Sequence, residues 1–216
     1  PERREALARL LRPFLLRRTK SQVARELPAR TEISIRVSLS SAERSVYEEV
    51  RRSVLEELAK APSQRPEQRR FQVLAAIPRL RQLACHVGLI DETWAQGSAK
   101  MERFGELVSQ LKDEGHRALV FSQFTRHLAL ARAVLEAQGI GYLYLDGATP
   151  QEERGGLVRR FQGGEGDVFL ISLKAGGTGL NLTGADNVIH LDPWWNPAVE
   201  DQASDRAHRI GQTRPV

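Results

Sequence analysis

The sequence predicts an α/β fold in three layers, with a mostly parallel sheet covered by helices on both faces. From Lys100 onward, short apolar runs alternate regularly with amphipathic stretches. Nearly continuous apolar strands separated by such helices are typical of parallel sheets that are buried on both sides. The predicted strands are ALVFS (118–122), YLYL (142–145), DVFLIS (167–172) and NVIHLD (187–192).

Local signals delimit the helices between these strands. Glycines often follow the last turn of a helix because they adopt left-handed backbone conformations at little cost. The helices predicted over about 100–114, 125–138 and 196–210 end at Gly115, Gly139 and Gly211. Thr149, Pro150 and Glu152 supply an N-cap, a first-turn proline and a capping-box acid. They predict a further helix that runs to about Phe161.

The first 95 residues follow a different pattern. Apolar residues recur at helical spacing in residues 1–27, which predicts a helix closed by Pro28. Residues 32–39 alternate polar and apolar side chains, the period of a strand with one buried face. A helical excursion is expected after that strand. Its parts are a capping box at Ser40 and Glu43, a helix to about Lys60, a polar loop at 61–70 and a second helix at about 71–86, bent at Pro78.

The composition excludes several classes of protein. With 41% hydrophobic and 27% charged residues, the chain is neither disordered nor collagen-like. It lacks an apolar run of about 18 residues, which a membrane span requires, and a secretory signal. Cys85 is the single cysteine, so no internal disulfide and no four-cysteine metal site are possible. The five histidines are scattered, so no metal site is predicted.

Cysteine usage and charge bear on the setting of the protein. A single cysteine indicates a reducing, intracellular compartment. The chain does not begin with Met, which suggests a piece of something longer. Residues 1–70 hold 17 Lys and Arg against 10 Asp and Glu, while the remainder holds 15 against 17. This asymmetry hints at a polyanionic partner, but solvated helix faces explain it better.

Open parallel sheets bind ligands outside the carboxyl ends of their strands. The loop after strand 167–172 is SLKAGGTGLNL, in which Gly176, Gly177 and Gly179 permit a tight turn. The N–H groups of such a turn bind phosphate, and Lys174 adds a mobile cation at the entrance. A tight strand-to-helix turn without any ligand explains the glycines equally well.

The loop after the last strand, DPWWNPAVEDQASDRAHRIGQ (192–212), continues into the last predicted helix. Gln202, Arg206 and Arg209 are spaced i, i+4, i+7 and are expected to share one face. Guanidinium groups bind phosphate oxygens in pairs and stay charged, so this face suits a triphosphate. The alternative is a surface helix whose acidic residues neutralise the arginines. Those acidic residues are Glu200, Asp201 and Asp205.

Six strings occur in order: LRPFLLRRTK, LRQLACH, ALVFSQFT, YLDGATPQEER, SLKAGGTGLNL and DPWWNPAVEDQASDRAHRIGQ. Together they resemble the second, C-terminal RecA-like lobe of the Swi/Snf family of DNA translocases, within superfamily-two helicases. The resemblance covers nearly the whole chain, and DRAHRIGQ after WNP is its most specific part. It implies a RecA-like fold of the P-loop NTPase type. Residues 1–39 would join the lobes and form a first strand, residues 40–95 a helical protrusion, and residues 96–216 the RecA-like core.

The resemblance also implies roles for matching residues. Arg206 and Arg209 match the arginine fingers that reach ATP, and Gln202 matches a residue that couples this site to DNA. The residues expected near the nucleotide are Gly177, Gly179 and Asp205, the last by orienting an arginine. Those expected at the DNA are Lys174, Trp195, Ser122, Gln123 and Thr149. For Trp195 a buried position that supports Asn196 is an open alternative, and Trp194 is assigned to packing.

The chain lacks the phosphate-binding sequence G-x-x-x-x-G-K-[ST]. ATP with Mg²⁺ is therefore expected to lie mainly on the N-terminal RecA-like lobe, and the isolated chain to be inactive. The expected partners are double-stranded DNA, that lobe and a DNA-bound protein complex, but no membrane. Two other functions remain open: a non-catalytic module that binds nucleic acid or protein, and an RNA-helicase lobe, against which DRAHRIGQ speaks.

Overall fold

The computed structural model describes residues 7, 10–14, 22, 24, 26–59, 66–176 and 179–216. At its centre is a parallel sheet whose strand order is β2-β3-β1-β4. The strands are β1 (Ala118–Ser122), β2 (Tyr142–Leu145), β3 (Val168–Ser172) and β4 (Asn187–His190). All four strands predicted from the sequence are present, with the last one shorter than expected. The α/β prediction is confirmed.

The α-helices in the described ranges lie before, between and after these strands in the chain. They are α1 (Ser41–Ala59), α2 (Pro66–Cys85), α3 (Ala99–Asp113), α4 (Thr125–Ala137), α5 (Gln151–Gln162), α6 (Leu173–Gly176) and α7 (Pro197–Ser204). Short 3-10 turns lie at Arg12–Phe14 and Val87–Leu89. None of the helices in these ranges has the length and apolar character that crossing a membrane requires.

Two apolar clusters fill the two faces of the sheet. On one face, Phe121 and Phe169 pack with Phe161 of α5 and with α7. On the other face, Val120 and Leu170 pack with α3 and α4. Each of these side chains is fully buried, and burying one contributes roughly 1.5–3 kcal/mol. Side chains alternate between faces along a strand, so the uninterrupted apolar runs of β1 and β3 supply both clusters.

The strand predicted over residues 32–39 is wrong. The segment has no regular secondary structure, and Ile33 is 81% exposed. Two backbone hydrogen bonds tie the residues just before it to the chain end. Thr31 N donates to Val216 O over 2.8 Å, and Val216 N donates to Ala29 O over 3.1 Å. No described strand pairs with the segment beyond Thr31, and apolar alternation alone makes no strand without a hydrogen-bonded neighbour.

Two helix starts differ from the sequence prediction. α2 begins at Pro66, so residues 66–70, predicted as loop, are helical. α5 begins at Gln151 because the Thr149 hydroxyl accepts a hydrogen bond from Asp146 N at 3.1 Å and does not cap the helix. The predicted loop at 61–65 lies outside the described residues.

The last helix ends earlier than predicted. α7 stops at Ser204, whereas the sequence predicted a helix as far as Gly211. Residues 205–212 form turns instead, and these bring Ala207 into the core below the sheet. The carbonyl of Arg206 accepts a hydrogen bond from Leu182 N at 2.9 Å. Packing and this long-range hydrogen bond therefore override the helical signal of the local sequence.

α1 and α2, called the helical pair from here on, pack against each other and join the rest of the chain at one end. The predicted capping box is confirmed there: Glu43 N donates to Ser40 Oγ (3.3 Å), and Ser40 N donates to Glu43 Oε2 (2.9 Å). The same carboxylate oxygen accepts from Ala99 N at 3.4 Å. Glu43 thereby fixes the start of α1 to the start of α3.

Most of the helix predicted over residues 1–27 lies outside the described residues. Four of the described apolar side chains in that stretch are exposed, those of Leu7, Leu10, Leu11 and Phe14, whereas Ala24 is buried. Phe14 has 85% of its surface in solvent.

Candidate functional site

The loop after β1 is fixed by a buried carboxylate. The Asp192 side chain, 1% exposed, accepts a short hydrogen bond from Ser122 Oγ and another from Gln123 N at 3.1 Å. Ser122 Oγ also accepts from Phe124 N at 3.0 Å. The Ser122 hydroxyl is thus turned into the protein and not toward solvent. Gln123 is half-buried and marks the accessible part of this loop.

Asp192 also faces two buried residues of neighbouring helices. Ligand-type atoms of Cys85, His127 and Asp192 lie within 4.8 Å of one another. Structural zinc sites take four protein ligands, and the described residues supply three here. Burial raises the pKa of the Cys85 thiol to about 11, so it keeps its proton. We therefore describe this group as a polar contact that joins α2, α4 and the loop after β4, and assign no metal to it.

The loop after β3 begins as the short helix α6. Lys174 on α6 is exposed, while Ala175 and Gly176 are buried. A Cβ at Gly176 would lie 2.9 Å from Phe121 Cε1, so only glycine fits there without movement of the core. Gly179 has a φ of 65°, the left-handed conformation that the sequence indicated for this turn. Gly177 lies outside the described residues.

The loop after β4 presents one tryptophan to solvent and holds the other. Trp195 is 77% exposed, so the alternative in which it is a buried prop is wrong. Trp194 is half-buried, and its backbone N donates to Glu200 Oε1 at 2.6 Å. The Arg81 guanidinium lies 5.1 Å from the centre of the Trp194 ring and donates to Pro193 O at 2.7 Å. The helical pair therefore holds this loop through Arg81.

The two predicted phosphate-binding arginines lie in the turns after α7. Because α7 ends at Ser204, Gln202, Arg206 and Arg209 do not share one helix face, contrary to the sequence prediction. Gln202 and Arg209 are exposed, whereas Arg206 is 7% exposed. α6 packs against α7, which brings the loops after β3 and β4 together.

Arg206 is a buried cation that forms no ion pair with any residue that the structure describes. Its Nε atom is buried and has no hydrogen-bond partner, and no ion pair of Arg206 or Arg209 occurs within the described part of the chain. Burial, together with the nearby positive charge of Arg209, lowers the pKa of Arg206 from its ordinary value. The charge of Asp205 acts in the opposite direction but does not outweigh them. This is a local environment that favours an anion.

The acidic residues in and just after α7 interact with groups other than Arg206 and Arg209. Arg30 Nη2 lies 2.7 Å from Asp201 Oδ1, and Arg30 Nη1 lies 3.8 Å from Asp205 Oδ1. The sequence left open that these acids neutralise Arg206 and Arg209. For Asp201 this alternative is wrong, because its carboxylate pairs with Arg30. Glu200 is occupied by Trp194 N.

Thr149 lies in the turn between β2 and α5. Both its backbone N and its hydroxyl are within hydrogen-bonding range of Asp146, at 3.2 Å and 3.4 Å from Oδ1. The residue is half-buried, at the same edge of the sheet as the loops after β1 and β3.

Sequence reasoning missed three residues that hold these loops: Asp192, Arg81 and Arg30. None of the three was singled out from the sequence. The residues that Arg30 and Arg81 contact lie 171 and 112 positions away in the sequence. No local pattern signals contacts over such separations.

Comparison with known families identifies the class of protein. Residues 99–211 match the family described as "Helicase conserved C-terminal domain", and residues 1–89 match the "SNF2-related domain". The chain is 37% identical over 225 residues to the human "SWI/SNF-related matrix-associated actin-dependent regulator of chromatin subfamily A member 1". It is 36% identical over 231 residues to the Drosophila melanogaster "ATP-dependent helicase brm". It covers 21% and 14% of the length of these relatives, which in turn match 98% and 97% of the chain.

A solved structure agrees with this assignment. The "SWI2/SNF2 ATPase core in complex with dsDNA" of Sulfolobus solfataricus superposes with a TM-score of 0.75 at 30% identity. The superposition covers 98% of this chain and 45% of that one. The fold is thus that of a RecA-like helicase lobe. The chain belongs to the SNF2 family of ATP-dependent helicases, and it contains the helicase C-terminal domain of that family.

Proposed function

We propose that the chain is the second motor lobe of an ATP-dependent translocase that moves along double-stranded DNA. Arg206 and Arg209 bind the phosphates of ATP, while the loops after β3 and β4 contact the DNA backbone. Residues 1–39 join the two lobes, the helical pair belongs to a protrusion over residues 40–95, and residues 96–216 form the RecA-like core.

The burial of Arg206 carries the nucleotide part of this proposal. Removing a guanidinium ion from water costs roughly several kcal/mol of desolvation free energy, unless a nearby anion compensates for the lost hydration. The neighbouring Arg209 increases that cost because its charge has the same sign. A phosphate group bound between the two arginines removes both penalties, and guanidinium groups bind phosphate oxygens in a paired geometry. As charge shifts toward the leaving group during hydrolysis, the arginines stabilise the transition state.

The remaining parts of the nucleotide site are proposed around these arginines. Asp205 orients the arginine that follows it, Gln202 on the exposed side of α7 couples nucleotide to DNA, and Gly177 and Gly179 allow the loop after α6 to approach the phosphates. Mg²⁺, bound with ATP, would neutralise the phosphate charge. The chain has no G-x-x-x-x-G-K-[ST] sequence, so these ligands lie mainly on an N-terminal lobe. The isolated chain should then hydrolyse ATP negligibly.

The DNA part of the proposal rests on exposure. Lys174 and Trp195 are exposed on adjacent loops at the carboxyl edge, where a cation contacts phosphate and an aromatic ring packs on the sugar or base edges. Gln123 and Thr149 extend this surface along the same edge. Ser122 shapes it from inside through its hydrogen bond to Asp192. Phosphate contacts fix position without reading sequence, so binding should be largely independent of sequence.

Movement follows from closure and opening of the two lobes. With ATP between them, the arginines are drawn onto the phosphates and the lobes close. After hydrolysis the contact is lost and the lobes separate. Because each lobe holds the DNA backbone, alternating closure advances the duplex. We further infer that the protein acts on DNA-bound complexes, in a nucleus or on a bacterial nucleoid according to its organism.

The nucleotide proposal is tested in the full-length protein by Arg206→Ala and Arg209→Ala. DNA-stimulated ATP hydrolysis at saturating ATP should fall about 10²-fold or more, with nucleotide binding retained. Arg159→Ala, an exposed arginine on α5, is the matched control and should leave turnover unchanged. Unaltered turnover in Arg206→Ala contradicts the proposal and favours a non-catalytic binding module.

The DNA proposal is tested by Lys174→Ala in the same protein. Affinity for duplexes of unrelated sequence should fall equally, and the slope of log affinity against log salt should lose about one unit. Lys112→Ala is the control, because Lys112 Nζ contacts Gly139 O near the opposite edge of the sheet (3.0 Å). Trp195→Ala should weaken binding with no change in this salt slope. Equal effects of Lys112 and Lys174 would refute the assigned surface.

A further inference from the structure

Residues 28–31 are fastened to the turns that carry Arg206 and Arg209. Arg30 bridges Asp201 and Asp205, at 2.7 Å and 3.8 Å. His208 Nε2 donates to Pro28 O at 2.9 Å. The backbone hydrogen bonds of Ala29 and Thr31 with Val216 complete the set. We call these contacts the clasp.

Along the chain, the contacts of the clasp flank the two arginines. Its anchor points at Asp201, Asp205, His208 and Val216 lie before, between and after Arg206 and Arg209. The turns of residues 205–212 have no regular helix to hold them, so their position depends on such tertiary contacts. On the inner side, Arg206 O accepts from Leu182 N at 2.9 Å. The clasp supplies the contacts on the outer side.

Arg30 is the charged member of the clasp. It is 25% exposed and interacts with three carboxylates, those of Glu32, Asp201 and Asp205. Pairing with Arg30 has a second effect, since it offsets part of the negative charge that Asp205 places near Arg206. The guanidinium group of Arg206 is then better able to bind an external anion.

We propose that Arg30 is a positioning residue for ATP hydrolysis, which holds the turns bearing Arg206 and Arg209 in place through Asp201 and Asp205. This inference rests on the proposed function, since it assumes that these arginines bind the nucleotide phosphates. It adds a role for the segment before the helical pair: any displacement of residues 28–31 is transmitted to the arginines.

The experiment measures kcat and KM for ATP in the full-length protein with saturating DNA. Arg30→Ala should lower kcat about tenfold with little change in KM, because misplaced transition-state groups cost rate rather than binding. Arg30→Lys keeps the charge and should restore most of the loss. Asp201→Asn breaks the same ion pair from the other side and should lower kcat by less, since Asp205 remains. Arg36→Ala, an exposed arginine six residues further on, is the control.

A purely structural role is separated by combining substitutions. If Arg30 acts through Arg206, Arg30→Ala should have little further effect on kcat in an Arg206→Lys background. An equal loss in both backgrounds, or a lower unfolding temperature with unchanged kcat, overturns the inference. If kcat is unchanged in Arg30→Ala but turnover is lost in Arg206→Ala, the positioning role of Arg30 is wrong and the proposed function stands. Unchanged turnover in Arg206→Ala overturns both.

Discussion

At the carboxyl edge of the sheet, side chains from distant parts of the chain are bound to one another, whereas along α2 they point into solvent. Asp192 alone contacts Ser122 and Gln123 and lies beside His127. On α2, by contrast, Phe71 and Leu74 are 74% and 63% exposed. Among the described side chains of α2, the buried ones are Leu83 and Cys85, at the far end of the helix.

The difference shows where each region gets its shape. The edge depends on many long-range contacts, so a change at one residue should alter several loops together. The helical pair depends on its own helix–helix packing and on a small buried base at Glu43, Leu83 and Cys85. Three substitution experiments test this contrast, in order of decreasing expected effect.

The largest effect is expected in the sheet. Leu170→Ala removes a fully buried side chain from the central strand β3, and the free energy of unfolding should fall by about 2–5 kcal/mol. Leu74→Ala on α2 should change it by less than about 0.5 kcal/mol. Denaturant unfolding of the two variants measures both values. A comparable loss in Leu74→Ala would show that the exposed face of α2 is covered within the folded protein.

A smaller effect is expected at the base of the helical pair. Glu43→Ala removes the acceptor for Ser40 N and Ala99 N, and should cost about 1–2 kcal/mol of unfolding free energy. Glu48→Ala is the control, since Glu48 pairs with Arg51 in an exposed i,i+3 bridge that contributes roughly 0.5 kcal/mol or less. Equal losses would mean that Glu43 does not anchor α1.

The smallest effect is a pH dependence shared by both regions. Burial lowers the pKa of His86 at the base of the helical pair and of His190 on β4. Below the ordinary histidine pKa of about 6.5, the unfolded chain binds protons that the folded chain excludes. The free energy of unfolding should therefore decrease as the pH falls from about 7 to 5.

His190→Gln tests one of these groups. It removes one titrating site while keeping a polar group near Ser204 Oγ, which lies 3.1 Å from His190 Nε2. The slope of unfolding free energy against pH should become shallower by at most about 1.4 kcal/mol per pH unit. His86→Gln should act similarly and independently. A slope that neither substitution changes would assign the acid sensitivity to other groups.

The sequence predicted the sheet well because its signals are local. The apolar runs at 118–122 and 168–172 lie in central strands, and such strands are apolar on both faces wherever they occur. Ser40 and Glu43 were correctly predicted as a capping box since both partners lie within one turn. The alternation of polar and apolar residues at 32–39 led to a wrong strand prediction. A strand needs a hydrogen-bonded neighbouring strand, and the segment itself does not encode one.

The sequence identified several residues of the candidate site but did not predict how they are arranged in space. Arg206 and Arg209 were singled out, yet their placement on one helix face was wrong, since packing of Ala207 ends α7 early. The partial burial of Trp194 follows from Arg81 and Glu200, which approach from other elements. Charge balance around the arginines depends on Arg30, far away in sequence. Such contacts form only when the chain folds, so no local sequence pattern indicates them.

Cys85 offers a practical advantage for labelling experiments on the proposed movement of the two lobes. It is the single thiol of the chain, it is buried, and burial raises its pKa to about 11. Since the thiolate is the reactive form, Cys85 should not react with maleimides at neutral pH. A cysteine introduced at an exposed position, such as Leu74→Cys, would then accept a fluorophore without background from this lobe. Energy transfer to a second label on the proposed N-terminal lobe would then report the distance between the lobes, with the native core left intact.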